Sequence, residues 1–129
     1  MHVSLPDELP LVIIDVALMV QALLNLLDNA VKYSPENAPI EIRGSLGREE
    51  VVLTVLDRGI GIPSAELPGI FDKFFRSSRS RGIGGIGLGL SISKGIVDAH
   101  NGRIWAENRP GGGSAISLSL PFDRVGEGR

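Results

Sequence analysis

The chain has 129 residues, 43% of them hydrophobic and 22% charged, which bounds it to about one globular domain with a single core. A formal charge of −2 argues against general nucleic-acid or membrane-surface binding, both of which favour a basic excess. The absence of cysteine excludes disulfides, thiolate metal sites and cysteine nucleophiles. No apolar run is long enough to span a bilayer, and Met1-His2-Val3 does not open a signal peptide, so a soluble cytoplasmic domain without membrane contact is expected.

In chain order, Leu11 to Ile14 reads as a short strand closed by Asp15 at a helix N-cap position. A helix is predicted from Val16 to Tyr33, stopped by Ser34-Pro35. Pro39 to Ser45 and Val51 to Asp57 alternate as two strands joined by a hairpin turn at Leu46 to Glu50. Regular structure is sparse from Arg58 to Gly89. A helix from about Leu88 to His100 should end at Asn101-Gly102 in a left-handed cap. Arg103 to Glu107 and Ala115 to Leu120 complete the strands, so residues 1–122 form the domain and 123–129 a polar tail. Interleaved strands and helices with a hairpin imply an α/β (α+β) two-layer sandwich, a mixed sheet covered by helices on one face.

The first helix is apolar almost all round, except at Gln21, Asn25, Asp28, Asn29 and Lys32, which fall in one sector at 100° per residue. A solvated face would account for the sector. Its composition argues otherwise, because two asparagines a turn apart are poor helix formers yet offer neutral amide oxygens on one line.

Asp57-Arg58-Gly59-Ile60-Gly61 follows a strand directly. As a plain turn it is unexceptional. As a site, it sets a carboxylate where it can accept from the exocyclic amine of adenine, while guanine would present a repelling oxygen there. The run Gly82-Ile83-Gly84-Gly85-Ile86-Gly87-Leu88-Gly89-Leu90 enters a helix, which suits a phosphate cradle of backbone amides. It also satisfies the dinucleotide pattern GxGxxG, but the preceding Arg76-Ser77-Ser78-Arg79-Ser80-Arg81 is no strand, so a dinucleotide-dependent oxidoreductase is rejected.

Taken in order, these segments resemble the histidine-kinase catalytic domain of the wider gyrase, Hsp90 and MutL ATPase superfamily. Asn25 to Tyr33 is similar to the N box, Asp57 to Gly61 to the G1 box and Phe71 to Phe75 to the F box. Gly85 to Leu90 is similar to the G2 box, and Gly111 to Ser114 to the last glycine turn. Asn108-Arg109-Pro110 and the run from Phe71 to His100 are similar to KdpD-type kinases in particular.

The resemblance implies the Bergerat fold, a mainly antiparallel sheet of about five strands on three helices. It implies ATP and Mg²⁺ as ligands, with Asn29 supplying an oxygen to the metal, Asn25 assisting and Lys32 meeting the phosphates. Tyr33 would flank the nucleotide and Asp57 would read the adenine amine. Gly59, Gly61, Ile62 and Ser114 would line the base site, and amides at Gly85, Gly87, Leu88 and Gly89 would hold phosphates. Phe71, Phe74 and Phe75 would anchor a lid over roughly residues 72–86, although ordinary core packing also accounts for a phenylalanine there. Arg76 would steady the γ-phosphate.

ATP-hydrolysing members of the superfamily carry a glutamate general base one turn before the metal-binding asparagine, and here Asn25 holds that place. The implied reaction is therefore transfer of the γ-phosphoryl to an imported nucleophile. Neither His2 nor His100 sits in a helical hairpin of the phosphoacceptor kind. The partners implied are a histidine-bearing dimerisation domain of the same kinase and a response regulator, with this domain itself a monomer. A serine kinase of the anti-sigma-factor type and a non-catalytic nucleotide-binding regulatory module are the alternatives on the same fold.

Overall fold

The computed structural model describes residues 2–5, 14–72 and 89–122, and every structural statement below concerns these. Five strands form one sheet in the order β1-β2-β3-β5-β4: β1 is His2–Ser4, β2 Glu41–Leu46, β3 Glu50–Leu56, β4 Arg103–Asn108 and β5 Ser114–Pro121. β1 lies parallel to β2 and all other pairs are antiparallel, which makes the sheet mixed and mainly antiparallel as expected. Two helices, α1 (Val16–Tyr33) and α2 (Gly89–Ala99), cover one face; a single 3₁₀ turn, Leu67–Gly69, is the remaining helical segment among the described residues.

The edge strand is His2–Ser4, which the sequence reading did not single out. Of the expected strand Leu11 to Ile14, residues 11–13 lie outside the described residues, and Ile14 is irregular and leads into the helix. A three-residue edge strand carries too little alternation to stand out from sequence. The expected tail from Asp123 also lies outside the described residues.

The core follows from period two meeting period 3.6. Val55, Ile116, Leu118 and Leu120 point from the sheet into Met19, Ala22, Leu26 and Ala30 of α1 and Ile96 and Val97 of α2, all of them buried. α1 starts where predicted, because the Asp15 carboxylate accepts from Leu18 N–H at 3.1 Å and so satisfies one of the free amides of the first turn. It ends at Ser34, extended ahead of Pro35. α2 ends as Asn101-Gly102 suggested. Asn101 takes φ 61°, Asn101 N–H reaches Asp98 O and Gly102 N–H reaches Val97 O, the paired bonds of a Schellman cap.

The two helices run antiparallel and are joined by three polar rungs. At one end Asp15 N–H donates to His100 Nε2 at 3.0 Å. In the middle the fully buried Ser93 hydroxyl donates to Ala22 O at 2.9 Å. At the other end Asn25 Nδ2 donates to Gly89 O at 3.1 Å. His100 is thus a tie between helices: Nε2 accepts, so Nδ1 carries the proton and donates to Ile96 O at 2.8 Å. This is the capping role its position at a helix end suggests, and it leaves neither ring nitrogen available as a nucleophile.

Candidate nucleotide site

The polar stripe of α1 and the Asp57 segment meet at one end of the sandwich. The meeting depends on Gly59: a Cβ built there would lie 2.1 Å from Tyr33 O, so only glycine lets the chain after β3 rest against the last turn of α1. At the other side of the stripe, Asn25 touches the first residue of α2 through Gly89 O. The stripe is therefore bracketed by Gly59 at its C-terminal end and by Gly89 at its middle.

Asp57 is the most constrained polar group in the region. It is only 2% exposed. One carboxylate oxygen accepts from Gly59 N–H at 2.8 Å and from Ser114 N–H at 3.1 Å, and the other accepts from the Ser114 hydroxyl at 2.7 Å. A carboxylate has about four acceptor positions, so these three bonds fix its orientation and leave about one position for a ligand donor. The backbone is held as well, with Asp57 N–H on Ser114 O at 2.9 Å and Arg109 Nη1 on Asp57 O at 3.0 Å.

The glycine turn before Ser114 makes this possible. Gly113 adopts φ 96°, and a Cβ there would stand 2.0 Å from Asp57 O. Gly113→Ala is therefore expected to cost more than about 3 kcal/mol, from a left-handed backbone and a backbone overlap together. Urea unfolding would check this; a loss under 1 kcal/mol would mean that the turn can move away from Asp57 freely.

Asn108 was singled out from sequence only as part of a family-like tripeptide, and its role here went unread. Its carboxamide oxygen accepts from Ile62 N–H at 2.7 Å and its nitrogen donates to Ile62 O at 2.7 Å, which clamps the loop after Gly61 to the end of β4. Ile62 and Ile70 are buried beneath that loop. A side-chain amide that imitates a strand partner 46 residues away has no local signature, so nothing short of the fold could have shown it.

The remaining site residues divide cleanly. Asn25 is a bridge, its Nδ2 on Gly89 O and its Oδ1 accepting from Gln21 Nε2 at 3.0 Å. Asn29 differs: its Nδ2 is buried without a hydrogen-bond partner. Lys32 is exposed in the last turn of α1, and Tyr33 is half-buried. Phe71 packs against the hydrophobic core, which is the bland reading allowed for it. Phe74, Phe75, Arg76, Gly85, Gly87 and Leu88 lie outside the described residues, as does most of the expected lid.

These residues fit a magnesium nucleotide. Among the described residues no three His, Cys, Asp or Glu side chains form a metal-binding group; the stripe itself offers the amide of Asn29 with the Asp28 carboxylate next to it in sequence, oxygen donors of the kind that suits Mg²⁺. Rotating the Asn29 amide exchanges its nitrogen for its oxygen at the position that lacks a partner among the described residues. Among the described residues no helix is long and apolar enough to cross a membrane.

Comparison with known proteins places this geometry. Residues 14–124 match the family described as histidine kinase-, DNA gyrase B-, and HSP90-like ATPase. The sensor protein KdpD of Escherichia coli (strain K12) is 43% identical over 120 residues, which cover 93% of this chain and 13% of KdpD. The mycobacterial sensor histidine kinase MprB superposes with a TM-score of 0.85 at 36% identity, covering 93% of this chain and 81% of that one. Full-length ShkA in complex with AMPPNP superposes at 0.80 and 27% identity, covering 94% of this chain and 25% of that one. The chain thus spans about an eighth of the curated relative it matches and most of a catalytic domain. It belongs to the histidine kinase-, DNA gyrase B-, and HSP90-like ATPase family, as an ATPase-type catalytic domain of the sensor histidine kinase kind.

Proposed function

We propose that this domain binds Mg-ATP and donates the γ-phosphoryl group to a histidine on a dimerisation domain of the same kinase. The observation that carries the reading is the Asp57 carboxylate, buried, triply bonded and left with about one acceptor position. Such a group selects a donor, and the exocyclic amine of adenine is one. The AMPPNP complex of ShkA, an ATP-like ligand on a related chain, supports it.

Each residue then has a task. Asp57 orients the base, and Ser114 orients Asp57. Ile62 and Ile70 give the base an apolar floor, with Tyr33 at its flank. Asn29, with Asn25 beside it, would hold Mg²⁺, which supplies charge neutralisation to the phosphates when bound. Lys32 and the amides around Gly85, Gly87, Leu88 and Gly89 neutralise and orient the phosphate chain, and Arg76 meets charge that develops on the γ-phosphoryl. Catalysis of this kind is positioning plus electrostatics; the nucleophile is brought by the acceptor domain. In this reading the domain acts in the cytoplasm as a monomer, and a response regulator receives the phosphoryl group from the acceptor histidine.

Asn25 stands where a hydrolytic base would stand, and an amide with both of its polar atoms engaged cannot take a proton from water. The purified domain should bind ATP saturably with Mg²⁺ yet hydrolyse it far below the ~1 s⁻¹ lower end of typical turnover. Adding the acceptor domain with γ-labelled ATP should place acid-labile phosphate on a histidine. Rapid hydrolysis by the domain alone, or label on serine of an added protein, would replace the histidine-kinase reading with an ATPase or a serine kinase.

A further inference from the structure

The nucleotide reading leaves unused a concentration of positive charge on the other face of the sheet. Register separates the faces. Ile42, Val55, Ile116 and Ala106 are aligned and pack toward the helices, so the neighbouring set Arg43, Thr54, Ser117 and Trp105 and the set Glu41, Leu56, Ala115 and Glu107 face away. Arg58 lies two residues past β3 and Arg109 one past β4, at the end of the sheet where Glu41 begins β2.

Three guanidinium groups gather here, with Glu41 beside them and Glu107 on the same face of the sheet, in a chain whose net charge is negative. Arg43 is paired with Glu41 through Nε and Nη2. Arg58 donates from Nη1 to Gly112 O at 3.3 Å and Arg109 from Nη1 to Asp57 O at 3.0 Å, bonds that use one of the five N–H donors on each. Burial pushes the Arg109 guanidinium below its usual range, Arg58 and Arg43 push the same way, and only Glu41 and Asp57 oppose them. Exposed arginines are ordinary, but a half-buried one crowded by two others gains from an added anion.

A cleft of about 470 Å³ opens beside them, between the loop after Gly59 and the glycine turn. Ile60, Pro63, Gly112 and Arg109 line it together with Gly61 and Ile62 of the expected base site, while Asp57, Asn25 and Asn29 do not. Its volume is that of a ligand cleft. Ile60 is 70% exposed, a large apolar side chain beside the basic group. An inorganic anion would use the arginines and ignore Ile60; a nucleic acid would be opposed by the overall charge of −2.

We propose that this cleft docks an acidic segment of a partner protein, with an apolar side chain on Ile60 and Pro63 and flanking carboxylates on Arg58, Arg109 and Arg43. This goes beyond the nucleotide reading: the cleft shares Gly61 and Ile62 with the expected base site, but the docking contacts proposed here fall on other residues, outside the Asp57 carboxylate and the α1 stripe.

The test titrates the isotope-labelled domain, with and without Mg-ATP, with a peptide of one leucine flanked by glutamates and follows backbone amide shifts. Saturable shifts centred on Arg58, Ile60 and Gly112 are expected. They should weaken about tenfold in Arg43→Glu/Arg58→Glu and again in Ile60→Ser, variants whose thermal midpoints are measured alongside, and with rising salt. Scattered or absent shifts at millimolar peptide overturn the proposal, as do equal affinities in the charge-reversed variant. Inorganic phosphate reproducing the same shifts at the same affinity also overturns it, since the site then takes free anions. ATP-binding failure with the peptide shifts intact would sink the nucleotide reading alone.

Discussion

Replacing Asp57 by Asn should leave a folded domain that no longer prefers ATP to GTP. The carboxamide oxygen can still accept from Gly59 N–H and Ser114 N–H, and its nitrogen can donate to the Ser114 hydroxyl, which is also an acceptor. Three of the original contacts thus survive in some form, and the loss of stability should stay under about 1.5 kcal/mol. What changes is the edge presented to the base, because a donor can now stand where only an acceptor stood. Against the adenine amine that exchange should weaken binding roughly 100-fold, about 2.7 kcal/mol, while the guanine oxygen meets a partner.

Asp57→Ala sharpens the comparison. It strands three donors around a buried gap and should destabilise by about 3 kcal/mol or more. Calorimetric titration of both nucleotides, beside urea unfolding of both variants, separates recognition from folding. An Asn variant that keeps full ATP preference would show that Asp57 serves only the turn, and the adenine reading would fall.

The parts of this site that were legible in the sequence are the local ones. The stripe Gln21, Asn25, Asp28, Asn29 and Lys32 shows because helical period is written in adjacent residues, and Asp15 shows as a cap because capping chemistry spans three residues. Asn101 announces its own left-handed cap in the same way. The pairing of Asp57 with Ser114 is another matter. It spans 57 positions, and only the β3–β5 register brings the two together. The Asn108 clamp on Ile62 and the His100 tie to Asp15 are likewise long-range, made by common polar residues at unremarkable positions.

Two further particulars are not legible in the sequence for a shared reason. Apolar runs do not say which partner they meet, and the three-residue edge strand His2–Ser4 has no pattern that marks it in the sequence. Asn25 stands on the stripe a turn before Asn29, and its bridge from α1 to Gly89 and the bond it accepts from Gln21 are contacts that the stripe alone does not show. Composition shows which groups share a face. It does not show which of them the protein itself will occupy.

Asn29 is the group on that face whose buried polar atom has no partner among the described residues, and this gives the second large expected effect an unusual sign. Its amide nitrogen is an unpaired buried polar group in the C-terminal part of α1. Asn29→Ala removes that group and puts the best helix former in its place, a change worth roughly 0.5 kcal/mol from propensity alone and more from the lost polar penalty. The nucleotide-free variant should therefore melt at or above the wild-type temperature, by roughly 3 °C for each kcal/mol gained. Its Mg²⁺-dependent ATP affinity should fall to the level that wild type shows in chelator, because the amide oxygen for the cation is gone. A variant that loses stability and keeps its magnesium dependence would make Asn29 an ordinary structural residue. Gained stability with lost binding would mean that the strain of the free state is relieved by the ligand itself, which is how a site can be built for a partner and remain unsatisfied until it arrives.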